Sequence, residues 1–142
     1  MVEMGKGGGI FEDEDIVSRY SRADGIADGS LIDVTEIARR EYGFKIPVAL
    51  TAAVWADCVE WTAADTQKTG VPQDESGRLW DVLWMAGYAA RQKRNSQSSR
   101  VEFELRRVER GRRRATRVAL VMAVGPGDQG EPVVTIMEPG ED

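Results

Sequence analysis

The sequence predicts an α+β fold in which N-terminal helices, two of them long and rich in tryptophan, pack on a C-terminal three-stranded antiparallel β-meander. Two observations predict it. The hydrophobic period changes once, from helical spacing before residue 92 to strict alternation after Val101. The connections between the apolar runs of the second half are charged or rich in turn formers. A length of 142 residues suits one domain, and at that size about 70% of the unfolded surface can be buried. We assign the domain to residues 10–138, with 1–9 as a flexible leader and 139–142 as an acidic tail.

Taken in order, Ile16, Val17, Tyr20 and Ile26 suggest one or two short helices broken near Gly25 and Gly29. Leu31 to Val34 is a short extended piece, with Thr35 placed to cap a helix that Gly43 stops. Phe44 to Leu50 reads as a linker, because Pro47 pushes Ile46 toward an extended backbone. Thr51 can cap a helix over Thr51–Asp65, which sets Val54, Cys58 and Trp61 on one narrow arc with Asp57 and Glu60 opposite. Asp74 or Ser76 can open the next helix, Gly77–Gln92, in which Leu79, Leu83, Ala86 and Ala90 share one side while Trp84, Met85 and Tyr88 occupy the other. Such a helix is either central or covered by a partner. A polar linker over Lys93–Ser99 follows. Val101, Phe103 and Leu105 then alternate with Glu102, Glu104 and Arg106 in a strand with one wet face. Val118–Val124 is a near-continuous apolar run that suits a central strand, and Pro132–Met137 supplies a third.

The charge is two-sided. The chain carries a net charge of -5, yet seven arginines (Arg106, Arg107, Arg110, Arg112, Arg113, Arg114 and Arg117) fall in one twelve-residue stretch. A local field of that kind steers encounters whatever the global sign. Arginine clamps phosphates and pairs equally well with carboxylates on another protein. No aromatic residue interrupts the cluster, so the stacking platform usual for single-stranded nucleic acid is missing there. Trp84, Met85 and Tyr88 form a candidate apolar interface, because tryptophan and methionine are enriched where proteins meet.

Other chemistry is thin. The sequence has no histidine, which removes Ser-His-Asp and Cys-His catalysis and the His-containing zinc sites. Cys58 is the single cysteine, so no intramolecular disulfide forms, and its place on an apolar arc reads as a buried structural thiol. Asp57, Glu60, Asp65, Asp74 and Asp81 could include a carboxylate pair, but 24 acids in the chain make such coincidences ordinary. Gly125–Glu131 lacks the Gly-Lys-Ser/Thr ending of a phosphate loop and joins strand to strand, so a wide hairpin turn is the better reading. No catalytic residue, cofactor or metal is expected. The chain lacks an apolar leader and has no run near the roughly 18 residues of a membrane span, so a cytoplasmic protein without a membrane partner is expected.

The segments Ile46–Thr51, Val54–Val59, Gln73–Met85 and Gly125–Pro132 resemble a bacterial domain family of unknown function carried on plasmids and other mobile elements. The resemblance spans about Ile16 to Met137 and implies no reaction or cofactor. What it implies is context, since small acidic proteins on mobile elements often counter host defences. The expectation is therefore a non-enzymatic interaction protein, an anti-CRISPR or anti-restriction factor that binds a host protein of a defence system. The alternative is a nucleic-acid-binding accessory or regulatory protein using the arginine hairpin. A homodimer is a further expected partner, through Trp84, Met85 and Tyr88.

Overall fold

The computed structural model describes residues 20–92 and 97–141. The predicted leader, Ile16, Val17 and most of the 93–99 linker lie outside these. The α+β class holds, but the expected three-stranded sheet does not. A single mixed sheet of five strands runs in the order β1-β2-β5-β4-β3, built from β1 (Leu31–Asp33), β2 (Val48–Thr51), β3 (Arg100–Val108), β4 (Ala115–Pro126) and β5 (Pro132–Met137). Neighbours are antiparallel except β2 and β5, which run parallel with Val48 opposite Val134 and Leu50 opposite Ile136.

β2 is the largest correction. Its residues read as a linker because Pro47 precedes them, yet Pro47 sits just outside the strand, where its carbonyl accepts from Val134 N–H. Val48, Ala49 and Leu50 are fully buried. With consecutive side chains on opposite faces all buried, both faces of β2 are covered, and that favours a continuous apolar run over an alternating one.

The helices are α1 (Arg22–Asp28), α2 (Thr35–Tyr42), α3 (Ala52–Val54), α4 (Ala63–Thr69) and α5 (Glu75–Ala90). Only α5 is long. The helix expected over Thr51–Asp65 is divided: Thr51 Oγ1 does cap α3 at Val54 N–H, but the chain then widens into a π-turn over Trp55–Val59 and opens before α4. The π-turn closes with Glu60 N–H donating to the Trp55 carbonyl at 2.8 Å. Thr62 and Asp65 form a capping box that starts α4 anew, which explains why no continuous helix crosses this point. Thr35 is the first residue of α2 and not its cap; its hydroxyl bonds Asp33 and receives Val48 N–H, tying the helix to β2. Asp74 caps α5 through Gly77 N–H at 2.7 Å.

One core lies between the sheet and the helices. Leu50, Phe103, Leu120 and Ile136 meet Val54, Cys58, Val82 and Leu83 there. Ala90, expected on the apolar side of α5, is exposed; Val82 and Ala89 take that stripe instead. The β4–β5 turn is structural. Asp128 accepts the N–H groups of Arg22 and Ala23 at the start of α1, while Arg22 reaches Thr135 and the Val134 carbonyl on β5. Glu141 accepts from Thr51 Oγ1 and Glu138 N–H, which holds the chain end against β2.

Candidate functional site

The β3–β4 hairpin carries all seven predicted arginines, with Arg106 opposite Arg117 and Val108 opposite Ala115. Its turn is closed by Arg112 N–H on the Glu109 carbonyl and by Gly111 in the left-handed region, φ 82°. The hairpin divides the cluster into three groups with different fates.

At the base of its turn, one ladder step before the strands part, Arg107 forks onto Asp57 of the π-turn, Nε to Oδ1 at 3.0 Å and Nη2 to Oδ2 at 3.1 Å, with a further bond to Thr116 Oγ1. Both side chains are largely buried. Arg110 bridges Asp65 at 3.0 Å and Glu60 at 3.1 Å. These two arginines fasten the hairpin to the π-turn and α4. On the outer face of the sheet Arg106 donates to the Ala115 carbonyl, and Arg117 lies 3.6 Å from Glu104 with both side chains mostly exposed. At the tip Arg112, Arg113 and Arg114 border a shallow depression of about 310 Å³ with Glu109 and Thr116 and meet no carboxylate within salt-bridge distance among the described residues.

Arg78 is the polar residue that composition could not single out. It is only 3% exposed. Its guanidinium donates to the carbonyls of Val59 (3.1 Å), Val108 (2.8 Å) and Asp57 (3.3 Å) and to Gln73, and it stacks 4.8 Å over the ring of Trp61. The logic lies in helix termini: the end of the π-turn leaves carbonyls without an intrahelical donor, and a five-donor fork satisfies several at once. Burial lowers the Arg78 pKa, its largest influence. A sequence signal did exist. Arg78, Val82 and Ala86 follow each other at four-residue spacing along the buried stripe of α5.

Most of the candidate acids serve structure. Asp57 is held by Arg107, Asp65 by Thr62 and Arg110, and Asp74 by the start of α5. The Asp65 carboxyl is kept below the usual range, first by the Thr62 backbone N–H. Asp81 borders a groove, and burial raises its pKa. Cys58 is buried, and burial with Asp57 beside it pushes its thiol up to about 12, the opposite of what a nucleophile needs. Among the described residues no three acids or cysteines cluster as a metal site.

The remaining feature is aromatic. Trp80, Trp84 and Tyr88 follow each other at four-residue spacing on α5 and are 46%, 45% and 53% exposed. Trp80 and Trp84 stack with centroids 5.1 Å apart and planes 7° from parallel, and Tyr42 of α2 tilts against Trp80 at 6.0 Å. Burial pushes the Tyr42 hydroxyl up to about 12, and it has no hydrogen-bond partner among the described residues. Beside this ridge, α5 and β3 enclose an open, mainly apolar groove of about 420 Å³ between Asp81, Trp84 and Met85 on one side and Glu104, Leu105 and Arg106 on the other. Of the expected interface, Trp84 and Met85 line the groove and Tyr88 extends the ridge.

A match over residues 8–142 decides the family. The chain belongs to the family of unknown function DUF6573. No curated protein and no solved structure matches it.

Proposed function

We propose that this member of DUF6573 is a non-enzymatic interaction protein whose working face is the aromatic ridge of α5 with its adjoining groove. The observation that carries the reading is the exposure of Trp80, Trp84 and Tyr88 in one line on α5. Contiguous apolar surface of this kind is seldom left bare by a monomer, and aromatic anchors beside a pocket supply most of the energy at protein interfaces. Most of the candidate acids and the cysteine, by contrast, are engaged in caps, ion pairs and core. The narrower form, a plasmid- or mobile-element-borne anti-defence factor bound to a host defence protein in the cytoplasm, is supported by the family resemblance of the sequence. No helix among the described residues is long and apolar enough to cross a membrane.

A second reading, nucleic-acid binding, draws on Arg112, Arg113 and Arg114 at the hairpin tip, which border an open depression without a salt-bridge partner among the described residues. One experiment separates the two. Full-length protein is used to capture partners from a bacterial lysate with and without nuclease, in parallel with Trp80→Ser/Trp84→Ser and with a triple Arg112→Ser/Arg113→Ser/Arg114→Ser variant. Nuclease-resistant capture that is lost only in the tryptophan variant supports the protein-binding reading. Nuclease-sensitive capture lost only in the arginine variant overturns it in favour of nucleic acid.

A further inference from the structure

We propose that the outer edge of β3 is a homodimer interface, joining two five-stranded sheets antiparallel about a two-fold axis beside Leu105. The proposal rests on reading the α5–β3 groove as an interaction face and names a second copy of this chain as its occupant. β3 ends the sheet and pairs only with β4. The phase of that pairing follows from Val124 N–H, which donates to the Ser99 carbonyl at 2.7 Å. In an antiparallel ladder alternate residues bond the partner strand, so Val101, Phe103 and Leu105 turn their backbone groups to β4 while Glu102, Glu104 and Arg106 turn theirs outward. Val108 shares the outward phase, and its carbonyl is the one Arg78 takes. Nothing among the described residues bonds the backbone of Glu102, Glu104 or Arg106. A nine-residue edge with such a row of free groups is a template for another strand.

Charge selects both occupant and register. Two copies pairing antiparallel must set outward residues opposite outward residues. An axis at Phe103 would place Glu102 against Glu104, and an axis at Glu104 would set that residue against itself. An axis at Leu105 places Glu104 opposite Arg106 of the second copy, and by symmetry Arg106 opposite its Glu104. Pairing then ends where Arg78 already holds the Val108 carbonyl. The contact between Glu104 and Arg117 within the chain, 3.6 Å and mostly exposed, is of the weak kind that competes little.

The same axis passes beside the groove. Leu105 lines that groove with Trp84 and Met85, so the two-fold brings the two grooves together and covers both copies of Trp84. Glu104 and Arg106 alternate with the buried Leu105, are exposed, and border the open rim of the same groove. The charge pairs therefore stay near water while the aromatic surface is buried.

The test is sedimentation and light scattering of the full chain up to about 100 μM, a range that detects weak dimers. Wild type is expected at twice its chain mass of 15.7 kDa. Glu104→Arg and Arg106→Glu should each weaken the dimer by at least about tenfold, because like charges then face each other. Mixing these two monomeric variants should restore a dimer, since the wholly basic edge of one then faces the wholly acidic edge of the other at both positions. Glu104→Pro removes an outward donor without touching the β4 ladder, so it should give a folded monomer by circular dichroism. A wild-type protein monomeric throughout, a dimer indifferent to Glu104→Pro, or a mixture that stays monomeric overturns the proposal. If wild type is monomeric yet loses partner capture on Trp84→Ser, the dimer falls and the interaction reading of α5 stands.

Discussion

At the base of the β3–β4 turn, where the chain leaves β3, Arg107 and Arg110 each meet a carboxylate at hydrogen-bonding distance, whereas at its tip Arg112, Arg113 and Arg114 meet none among the described residues. The two regions share a residue type and a hairpin, and differ in what the fold brings across from elsewhere. The base lies against the π-turn, whose wide spiral presents Asp57 outward and the carbonyls of Asp57 and Val59 toward Arg78. The tip extends past α4, where Asp65 meets Arg110. Arginine therefore acts as internal cement at one end and as free surface charge at the other, and the net charge of the stretch overstates what it can offer a partner.

The contrast is broken most severely from beneath the base. Trp61 is 4% exposed, carries the Arg78 guanidinium on its ring and donates from Nε1 to Thr66 Oγ1 at 2.9 Å. Trp61→Ala removes a buried ring and the surface against which Arg78 is held, and is expected to cost about 3–5 kcal/mol in denaturant melts. A loss below about 1 kcal/mol would show that the base does not depend on this stack. Next in size, Arg107→Ala leaves the Asp57 carboxylate without its fork partner in a largely buried setting. About 2 kcal/mol of destabilisation is expected, and Asp57→Ala combined with it should cost clearly less than the sum of the two single changes, the mark of a coupled pair.

Local signals in the sequence are legible where a single residue sets the outcome. Thr51 caps the start of its helix though not the length assigned to it, Asp74, one of two candidates, caps α5, Gly43 ends α2 in the left-handed region, and the alternation of Val101, Phe103 and Leu105 gives the buried face of β3. What is not legible depends on residues far apart in the chain. β2 is a strand because β1 and β5 flank it, and Pro47 conceals that. Past Val59 the π-turn carbonyls find their donor in Arg78, nineteen positions later. The arginine cluster is visible as composition, but its division into clasped and free members requires the carboxylates of the π-turn and α4. On α5 the helical pattern marks Trp84, Met85 and Tyr88 as one face. Trp80 stands four residues before Trp84 and so shares that face by spacing, but its half-exposed place between Tyr42 and Trp84 depends on how α2 packs beside α5.

The base should also respond to pH. Cys58 lies in the π-turn next to Asp57, and its thiol is held up to about 12 against 9.0 for the free group. Above pH 9 the unfolded chain releases this proton while the folded chain retains it, so stability is intact below that point and declines as pH rises toward 12. Cys58→Ala should flatten part of the decline. Tyr42, whose hydroxyl is raised to about 12 from 10.0, acts in the same direction. Thermal melts from about pH 8 to 11 measure this, as does thiol labelling, which should be slow in the folded protein and prompt in denaturant because Cys58 is 1% exposed. Equal labelling rates in both states would place the thiol at the surface.

The smallest stability effect is expected at the tip, and there the comparison is sharpest. Arg112→Ser, Arg113→Ser and Arg114→Ser together remove three cations from exposed positions that hold no carboxylate within the described residues, so denaturant stability should move by no more than about 0.5 kcal/mol. Arg107→Ala alone should exceed that change severalfold, although it removes one charge instead of three. Function reverses the order. If the tip steers a partner, its removal lowers the association rate and the steepness of the salt dependence, because exposed charges act over roughly a Debye length of 10 Å at 0.1 M salt. Stopped-flow association at two salt concentrations reads this directly. An unchanged rate at both would leave the tip as solvated surface and confine function to α5 and the β3 edge, whereas a stability loss as large as that of Arg107→Ala would show that tip and base are one structural unit.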